Sequence, residues 1–313
     1  MNANAAGRLD LAIVIVNYNT CLLLRNCLRS VYASVGGLAL GVCVVDNASP
    51  DDSIAMVSAE FPQVHLIANG ANAGYPQANN QGLRHFGFRN PGEPGSAHEE
   101  LPRYALLLNP DTILPPQALG QMVAFMEGHP QAGVAGPKLV RLDGSLDKAC
   151  RRSFPTPETS LWHLMRIDKL FPHSRRFGRY DLTYLDPDII TQVDAVVGAF
   201  MMVRREAIVQ AGLLDEAFWM YGEDLDWAKR ITDAGWQVWY NPAVTVTHVK
   251  EAASRHSYRA RVEFYRALVV FYEKHYSATT PFWMDWLIRG GIAFFGSIDL
   301  FGRRLQTQLR ARA

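Results

Sequence analysis

The sequence has few cysteines and lacks the cysteine spacings that bind metals or carry redox chemistry. Four cysteines occur among 313 residues, and no two of them form a CxxC pair; they are Cys21, Cys27, Cys43 and Cys150. A disulfide scaffold, a zinc ribbon and a thioredoxin-like redox site are therefore excluded. We expect a reduced, intracellular protein.

An excess of one charge and a long hydrophobic run near the start are also missing. Lys and Arg number 31 against 30 Asp and Glu, so the formal net charge of +1 argues against a nucleic-acid-binding protein. The first apolar run, residues 11–16, ends at Asn17. That run is too short for a signal-peptide core or a membrane span, and it has the length of a buried strand. A cytoplasmic location is the expectation.

Several common catalytic motifs do not occur in the chain. There is no GxGxxG, no GxxxxGK[ST], no GxSxG and no HExxH. Because these motifs carry dinucleotide binding, P-loop phosphate binding, the serine hydrolase elbow and zinc proteolysis, those chemistries lack support.

The chain does contain alternating strand-length and helix-length segments, with 49% hydrophobic residues to form a core. Strands are predicted at residues 11–16, 41–46, 64–68, 104–108 and 133–140, separated by helices at 22–32, 51–60, 77–86 and 116–127. Farther along, we predict strands at 237–240 and 244–248 and helices at 224–234 and 257–276. This order predicts an α/β fold with a mostly parallel, Rossmann-like central sheet flanked by helices.

Polar clusters follow three of the predicted strands, at residues 17–19, 46–49 and 109–112. Each cluster alone also fits an ordinary turn. Because ligands bind beyond the carboxyl ends of parallel strands, three such clusters together indicate a binding site. Asn109 and Asp111 offer oxygen ligands to Mg2+ or Mn2+, although an Asn-Pro-Asp turn before the next helix is the alternative.

A second constellation combines acidic residues with aromatic ones. Glu223, Asp224 and Asp226 fall within four positions, directly after Trp219 and Tyr221. The aromatic side chains could desolvate a carboxyl group and suit it to general-base work, or the acids could form a solvated first helical turn. His248 ends a predicted strand and fits either a metal ligand or a structural histidine. The glycine-containing turn at residues 69–75 offers backbone amides to phosphate or sugar hydroxyls.

The order of these motifs resembles glycosyltransferase family 2. The matching stretches are Val-Ile-Val-Asn-Tyr-Asn at 14–19, Val-Val-Asp-Asn-Ala-Ser at 44–49, Asn-Ala-Gly-Tyr at 72–75, Leu-Asn-Pro-Asp-Thr at 108–112, Val-Gly-Ala-Phe-Met at 197–201, Gly-Leu-Leu-Asp-Glu at 212–216 and Tyr-Gly-Glu-Asp-Leu-Asp at 221–226, followed by His248. The resemblance spans about residues 10–275 and is greatest to the bacterial rhamnosyltransferase branch.

The resemblance implies a GT-A fold, a nucleotide-diphosphate-sugar donor, a divalent cation (Mg2+ or Mn2+) and inversion at the anomeric carbon. It makes Asp224 the general base with Glu223 beside it, and Asp111 and His248 the metal ligands. Asn109 departs from the wider family, which often has Asp there, and this removes one negative charge from the metal site.

For the nucleotide sugar, the resemblance implies that Asp46 accepts a hydrogen bond from the imide of the base, which Val16 and Tyr18 border. The full set of residues assigned to nucleotide-sugar binding is Val16, Asn17, Tyr18, Asp46, Asn72, Gly74, Asn80, Asn109 and Asp111. Asp46 does not distinguish uracil from thymine, since it would accept from the imide of either base. The predicted donor is dTDP-rhamnose; the alternatives are a UDP-hexose or UDP-galactofuranose, or a catalytically silent module that binds nucleotide or glycan.

The implied acceptor is a glycan or a polyprenyl-diphosphate-linked sugar in cell-surface polysaccharide synthesis. We expect a catalytic domain over residues 1–255, with a nucleotide-sugar half at about 10–140 and an acceptor half at about 141–255. Residues 256–313 form a predicted helical extension. Trp219 and Tyr221 are candidate acceptor contacts, as are Arg151 and Arg152, which otherwise are solvated surface arginines.

The end of the chain combines aromatic and basic residues. Residues 281–301 carry two tryptophans and four phenylalanines, and arginines follow at 303, 304, 310 and 312. Asp285, Arg289 and Asp299 disfavour a membrane span. The segment fits a helix lying on the cytoplasmic face of the inner membrane, or one that packs on the body or on a second subunit of a homo-oligomer.

Overall fold

The structure is a computed structural model that describes residues 8–94, 98–250 and 258–310. Its first half alternates strands and helices in the predicted order. They are β1 (Leu11–Asn17), α1 (Cys21–Ala33), β2 (Leu40–Asp46), α2 (Ser53–Glu60), β3 (His65–Ala68), α3 (Tyr75–His85) and β4 (Tyr104–Leu108). All residues of β1 and β4 are buried, as expected for unbroken apolar runs in a sheet covered on both faces.

The second half continues with β5 (Thr112–Ile113), α4 (Ala118–Gly128), β6 (Ala132–Val140), α5 (Pro157–Leu164), α6 (Ile167–Leu170), β7 (Thr191–Val193), β8 (Phe200–Arg204), α7 (Arg205–Ala211), α8 (Glu223–Asp233) and β9 (Gln237–His248). The strands predicted separately at 237–240 and 244–248 are one strand, β9. Its pairing with β6 shifts register between Pro137 and Lys138, so the strand passes Pro242 without ending.

The strands form a single sheet in the order β3-β2-β1-β4-β8-β6-β9-β5, with β7 on β9. From β3 to β4 every pairing is parallel, and in the second half β6 and β9 are parallel too. The other pairings, which involve β5, β7 and β8, are antiparallel. The predicted α/β class with a helix-flanked central sheet is confirmed.

The parallel register brings the carboxyl ends of β1, β2, β3 and β4 to one edge of the sheet. Asn17 is opposite Asp46, and Asp46 is opposite Ala68. Ile15 of β1 is opposite Leu108, the last residue of β4. The polar clusters that follow these strands therefore lie together, as the sequence predicts.

Two helices complete the described chain, α9 (Tyr258–His275) and α10 (Phe282–Arg310), and they pack on each other. The predicted domain boundary at residues 255–256 lies outside the described residues. No helix in the described ranges is long and apolar enough to span a membrane.

Candidate active site

The ends of β1 and β2 carry a buried polar network. The Asn17 side-chain amide donates to Asp46 Oδ2 at 2.8 Å, and the Ser49 backbone N–H donates to Asp46 Oδ1, also at 2.8 Å. Asp46 is thereby held in one orientation at the sheet edge. Val16, which directly precedes Asn17, is buried, whereas Tyr18 is half exposed, so the Tyr18 ring is accessible to a planar ligand.

The glycine-containing turn after β3 leads directly into α3 and packs against Trp219. Asn72 Oδ1 accepts from the Gly74 N–H at 3.0 Å, and the Asn47 amide donates to the Gly74 carbonyl at 3.1 Å. Gly74 has φ of 90°, and a Cβ there would lie 2.7 Å from the Trp219 carbonyl oxygen. Only glycine fits both the backbone angle and the space.

Tyr75, the first residue of α3, connects three parts of the site. Its backbone N–H donates to the Trp219 carbonyl at 2.9 Å, and its hydroxyl lies 3.1 Å from Asn109 Oδ1 and 3.0 Å from the Gly198 carbonyl oxygen. Burial raises the pKa of Tyr75, so the phenol stays protonated and donates. Asn109 thus uses its side-chain oxygen on Tyr75.

Asp111 and His248 lie together where β5 pairs with the end of β9. His248 Nε2 is 3.2 Å from Asp111 Oδ1, and His248 Nδ1 donates to Asp147 Oδ2 at 2.8 Å. Lys250 pairs with Asp147 at 2.6 Å, and its backbone N–H donates to Asp111 Oδ2 at 3.2 Å. Burial alone would lower the pKa of His248, but hydrogen bonds to Asp111 and Asp147 outweigh it and raise the pKa to about 9.

This arrangement fits a divalent cation that also binds a ligand. A carboxylate oxygen and an imidazole nitrogen face each other, and Asp147 orients the histidine through its other nitrogen, as second-shell carboxylates do at metal sites. Among the described residues these two side chains would supply the ligands, and phosphate oxygens or water would complete the shell. The three-group cluster that could hold a metal within the described ranges lies elsewhere, at His163, Asp168 and Asp181.

The acidic cluster begins helix α8. Tyr221 (φ 70°) and Gly222 (φ 81°) take left-handed backbone angles that turn the chain into the helix. Glu223 and Asp224 are its first residues, where the helix dipole favours negative charge. Both side chains are nevertheless buried.

The two carboxyl groups differ in their partners. Asp224 Oδ2 accepts from Arg152 Nη2 at 2.6 Å and from the Gly198 N–H at 3.0 Å. Glu223 Oε2 has no hydrogen-bond partner among the described residues. Burial, followed by the neighbouring Asp224 charge, raises the pKa of Glu223 above its ordinary range. The site therefore pairs an anchored carboxylate with one that is readily protonated.

A hydrogen-bond path joins several of the predicted site residues. From Asp224 the path runs through Gly198 to Tyr75, which also contacts Asn109. The backbone joins Tyr75 to Gly74, whose carbonyl oxygen accepts from the Asn47 amide next to Asp46. The nucleotide-side and acid-side motifs are therefore connected.

Asn80 and Arg151 lie apart from this path. The Asn80 side chain accepts from the Leu214 N–H at 3.0 Å and donates to the Leu214 carbonyl at 2.9 Å, so it fastens α3 to the loop before α8. Arg151 donates to the carbonyl oxygens of Leu185 and Asp186. The alternative that Arg151 and Arg152 are solvated is wrong, since backbone carbonyls bind one guanidinium and Asp224 binds the other.

Sequence reasoning missed Asp147 and the role of the Tyr75 hydroxyl. Tyr75 belongs to a recognised motif, Asn-Ala-Gly-Tyr, so its position carried a signal. Asp147 lies in an ordinary turn-like stretch, and only the proximity of β6 and β9 brings it to His248.

A sequence profile of the family described as "Glycosyltransferase like family 2" matches residues 8–263. The chain belongs to this family. It is therefore a sugar transferase, as the motif resemblance predicted.

Two curated relatives agree with the family. An N-acetylglucosaminyl-diphospho-decaprenol L-rhamnosyltransferase of Mycobacterium tuberculosis is 27% identical over 257 residues, which cover 81% of each chain. A low-salt glycan biosynthesis hexosyltransferase of Haloferax volcanii is also 27% identical, over 71% of this chain and 61% of its own. The chain is rhamnosyltransferase-like in sequence.

Solved structures support the fold. GalNAc-T7 with UDP, GalNAc and Mn2+ matches with a TM-score of 0.58 at 15% identity, over 86% of this chain and 48% of its own. The mannosyltransferase PcManGT of Pyrobaculum calidifontis with GDP-Man and Mn2+ matches with a TM-score of 0.54 at 17% identity, over 98% of this chain and 76% of its own. Both are glycosyltransferases crystallised with Mn2+.

Proposed function

We propose that this family 2 transferase is an inverting, divalent-metal-dependent enzyme that moves L-rhamnose from dTDP-rhamnose to a lipid-linked glycan. The similarity to the M. tuberculosis rhamnosyltransferase supports the sugar and the acceptor class. The observation that supports the chemistry is the hydrogen-bond path that connects Asp224 through Gly198 and Tyr75 to the turn next to Asp46.

The proposed roles follow from the contacts. Asp46, fixed by Asn17 and Ser49, would accept from the imide N–H of thymine, and the half-exposed Tyr18 would cover the base. Asp111 and His248 would hold a divalent cation, which supplies positive charge to the leaving diphosphate when bound. We also propose that residues of about 10–140 form the donor half and those of about 141–255 the acceptor half.

Transfer would proceed by in-line attack of an acceptor hydroxyl on the anomeric carbon. Asp224 would take the hydroxyl proton as the new C–O bond forms, and the electron pair of the broken C–O bond would leave with the nucleoside diphosphate. General-base assistance of this kind contributes about 10²–10⁴-fold in rate. Glu223, buried beside Asp224, would bind the acceptor hydroxyl or support the base. Trp219 and Tyr221, which come shortly before Glu223 in the chain, are the proposed acceptor contacts.

We propose further that the protein binds the membrane surface that carries its acceptor. Helix α10 turns Asp285, Arg289 and Asp299 toward α9, where they bond to Tyr272, Glu273 and Arg261. The large side chains on its opposite face are exposed: Phe282, Trp283, Trp286, Leu287, Phe294, Ile298 and Phe301. An outward apolar face with tryptophans fits an interfacial helix.

The test measures ligand binding and transfer on the same preparations. Thermal unfolding is followed with UDP, dTDP, GDP, CMP and their sugars, each with Mn2+, Mg2+ or a chelator. A ligand at a hundred times its Kd stabilises by about 2.7 kcal/mol. We expect the largest shift with dTDP-rhamnose, and only when metal is present. A preference for UDP-sugars would replace the donor, and no response to any nucleotide would favour the silent binding module.

The Asp224→Asn variant separates binding from chemistry. The amide keeps the shape of the side chain but takes up a proton poorly, so we expect an unchanged thermal response to dTDP-rhamnose. Transfer to a synthetic N-acetylglucosaminyl-diphospho-lipid should fall by about 10²-fold or more. Full turnover by the variant would overturn the assignment of Asp224.

A further inference from the structure

Arg152 is the one side chain that forms an ion pair with Asp224 in the described part of the chain. Its Nη2 lies 2.6 Å from Asp224 Oδ2, and the two side chains are 12% and 7% exposed. The sequence offered Arg152 only as an acceptor contact or as a surface arginine. The structure instead directs its guanidinium at the carboxylate proposed to take the proton.

The surrounding backbone fixes the position of Arg152. Its N–H and carbonyl pair with Ala195 in an isolated bridge, at 2.9 and 3.0 Å, which ties residue 152 to the segment before Gly198. Gly198 in turn donates to the same Asp224 oxygen that Arg152 binds. The hydroxyl of half-buried Tyr180 lies beside the guanidinium. Asp224 is thus held by two donors from neighbouring chain segments.

Stability alone explains this ion pair poorly. Removing two charges from water costs several kcal/mol per ion, and well-packed apolar residues often replace such pairs without loss. At the start of α8, helix amides already face the acidic residues. In the described ranges, the other titratable groups that interact with Asp224 are Glu223, Tyr180 and Tyr75, and none of these three is a cation. Arg152 therefore sets the charge balance of this pair of carboxyl groups.

We propose that Arg152 is a positioning residue for transfer, which fixes the orientation of Asp224 for the proton that the acceptor hydroxyl gives up. The inference rests on the proposed role of Asp224. In the step itself, the proton passes from the acceptor oxygen to Asp224, that oxygen bonds to the anomeric carbon, and the diphosphate leaves with the electron pair. In this proposal Arg152 acts through Asp224, to which its guanidinium is bound.

The chain provides a matched control in the adjacent residue. Arg151 is also buried, but its guanidinium is bound by the carbonyl oxygens of Leu185 and Asp186 and lies over the Tyr240 ring. Arg151→Gln removes a buried arginine from the same segment without touching Asp224. This variant measures how much the loss of a buried arginine by itself changes folding and activity.

The experiment compares Arg152→Gln, Arg152→Lys and Arg151→Gln in transfer from dTDP-rhamnose to the synthetic N-acetylglucosaminyl-diphospho-lipid, with kcat and KM measured for each variant. For Arg152→Gln we expect kcat to fall by about 100-fold with donor KM within about twofold. Arg152→Lys should restore only part of kcat, since lysine supplies the charge without the planar fork. Arg151→Gln, which leaves the Asp224 ion pair intact, gives the reference value of kcat for the loss of a buried arginine from this segment.

Several outcomes would overturn the proposal. One is a folded Arg152→Gln enzyme whose kcat equals that of Arg151→Gln; another is a rise in acceptor KM alone, which would assign Arg152 to acceptor binding. If Arg152→Gln does not fold, Arg152→Lys decides, because a kcat equal to that of Arg151→Gln would exclude the role. The Asp224→Asn variant distinguishes a failure of the proposed function from a failure of the role assigned to Arg152. An active Asp224→Asn enzyme defeats the proposed function, whereas an inactive one beside a fully active Arg152→Gln enzyme defeats only this inference.

Discussion

Gly74 shows how narrowly single residues are constrained around the candidate site. Its φ of 90° is one that side chains with a Cβ rarely adopt, and the added carbon would lie 2.7 Å from both the Trp219 ring and its carbonyl oxygen. The turn also carries the peptide that precedes Tyr75, so a shift here would move the Tyr75 hydroxyl. The packing of two loops thus depends on the absence of one side chain.

We predict that Gly74→Ala lowers the free energy of unfolding by about 2 kcal/mol, the usual cost of a strained backbone angle combined with a close contact. Urea denaturation followed by fluorescence measures it. Gly70 in the same turn is the control, because no atom lies within 4 Å of its added Cβ and its φ is outside the left-handed region. Gly70→Ala should be neutral or slightly stabilising. Equal losses in both variants would contradict the steric argument.

Single residues also show where sequence reasoning stops. Asp111, Asp224 and His248 were predictable because each lies in a motif whose spacing is visible in the chain. The contact of Arg152 with Asp224 and that of Asp147 with His248 were not predicted, since the two partners are 72 and 101 residues apart in the chain, respectively. Only the fold decides which distant carboxylate or imidazole such a side chain meets.

Helices α8 and α9 are joined by a fully buried carboxylate, Asp226, one turn from the catalytic candidates. Its oxygens lie 2.8 Å from Arg230 Nε, from Lys274 Nζ and from His275 Nε2. Burial by itself would raise the pKa of Asp226, but the His275 hydrogen bond and the two cations lower it to about 2, from an ordinary 3.8. The ionised carboxylate therefore stabilises the contact between these two helices.

Asp226→Asn should destabilise the protein by about 3 kcal/mol at neutral pH, because it leaves buried positive charge without its partner. Since the folded pKa lies below the unfolded one, the contribution of Asp226 is complete above about pH 5 and is lost as the pH falls through about 2. The gap between wild type and variant in urea denaturation should therefore shrink as the pH falls from about 5 to about 2.

The matched control lies on the same helix. Asp233 pairs with Lys229 at 2.7 Å but is 55% exposed. Exposed pairs of this kind contribute about 0.5 kcal/mol or less, so Asp233→Asn should barely change the midpoint. A large loss in that variant, or a pH-independent gap in Asp226→Asn, would contradict the assigned role of burial.

At the level of elements, hydrophobic periodicity predicted where strands and helices lie but not which strands pair with each other. Strand β1 and helix α1 were recognisable because an unbroken apolar run and a helical repeat are local properties. The antiparallel placement of β8 between β4 and β6 was not, because a short apolar strand has the same pattern in either direction. The division of β9 failed for a related reason: Asn-Pro at 241–242 is typical of a turn, but here a register shift accommodates it.

At the scale of the whole molecule, helix α9 connects the start of α8, where the proposed acceptor contact Tyr221 lies, to helix α10. The Tyr221 ring meets Phe264 edge-on, with centroids 6.3 Å apart, and Ala267 lies against Gly222. On the far side of α9, Tyr265 packs on Gly296 of α10. A surface bound by α10 would therefore lie one helix away from the start of α8.

We predict that the full-length protein floats with vesicles of phosphatidylglycerol and phosphatidylcholine, and less with phosphatidylcholine alone, because the sequence places arginines at 303 and 304 in the same helix. Trp286→Glu with Leu287→Glu should lower binding by about tenfold or more, since charge would replace apolar area that membrane contact buries. Leu170→Glu is the control, an equally exposed leucine in α6. Its flotation should match wild type.

The same variants distinguish the two possible partners of this face. If α10 pairs with a second copy of the chain, sedimentation should show a dimer that Trp286→Glu with Leu287→Glu dissociates, and flotation should not change. If the face binds lipid, the protein should sediment alike in both forms while flotation falls and weakens with added salt. The second result is expected, because α10 turns its charged residues inward to α9 and leaves outward an apolar surface that ends in basic sequence. A lipid-linked acceptor would then reach the candidate active site from the membrane surface to which the enzyme is bound.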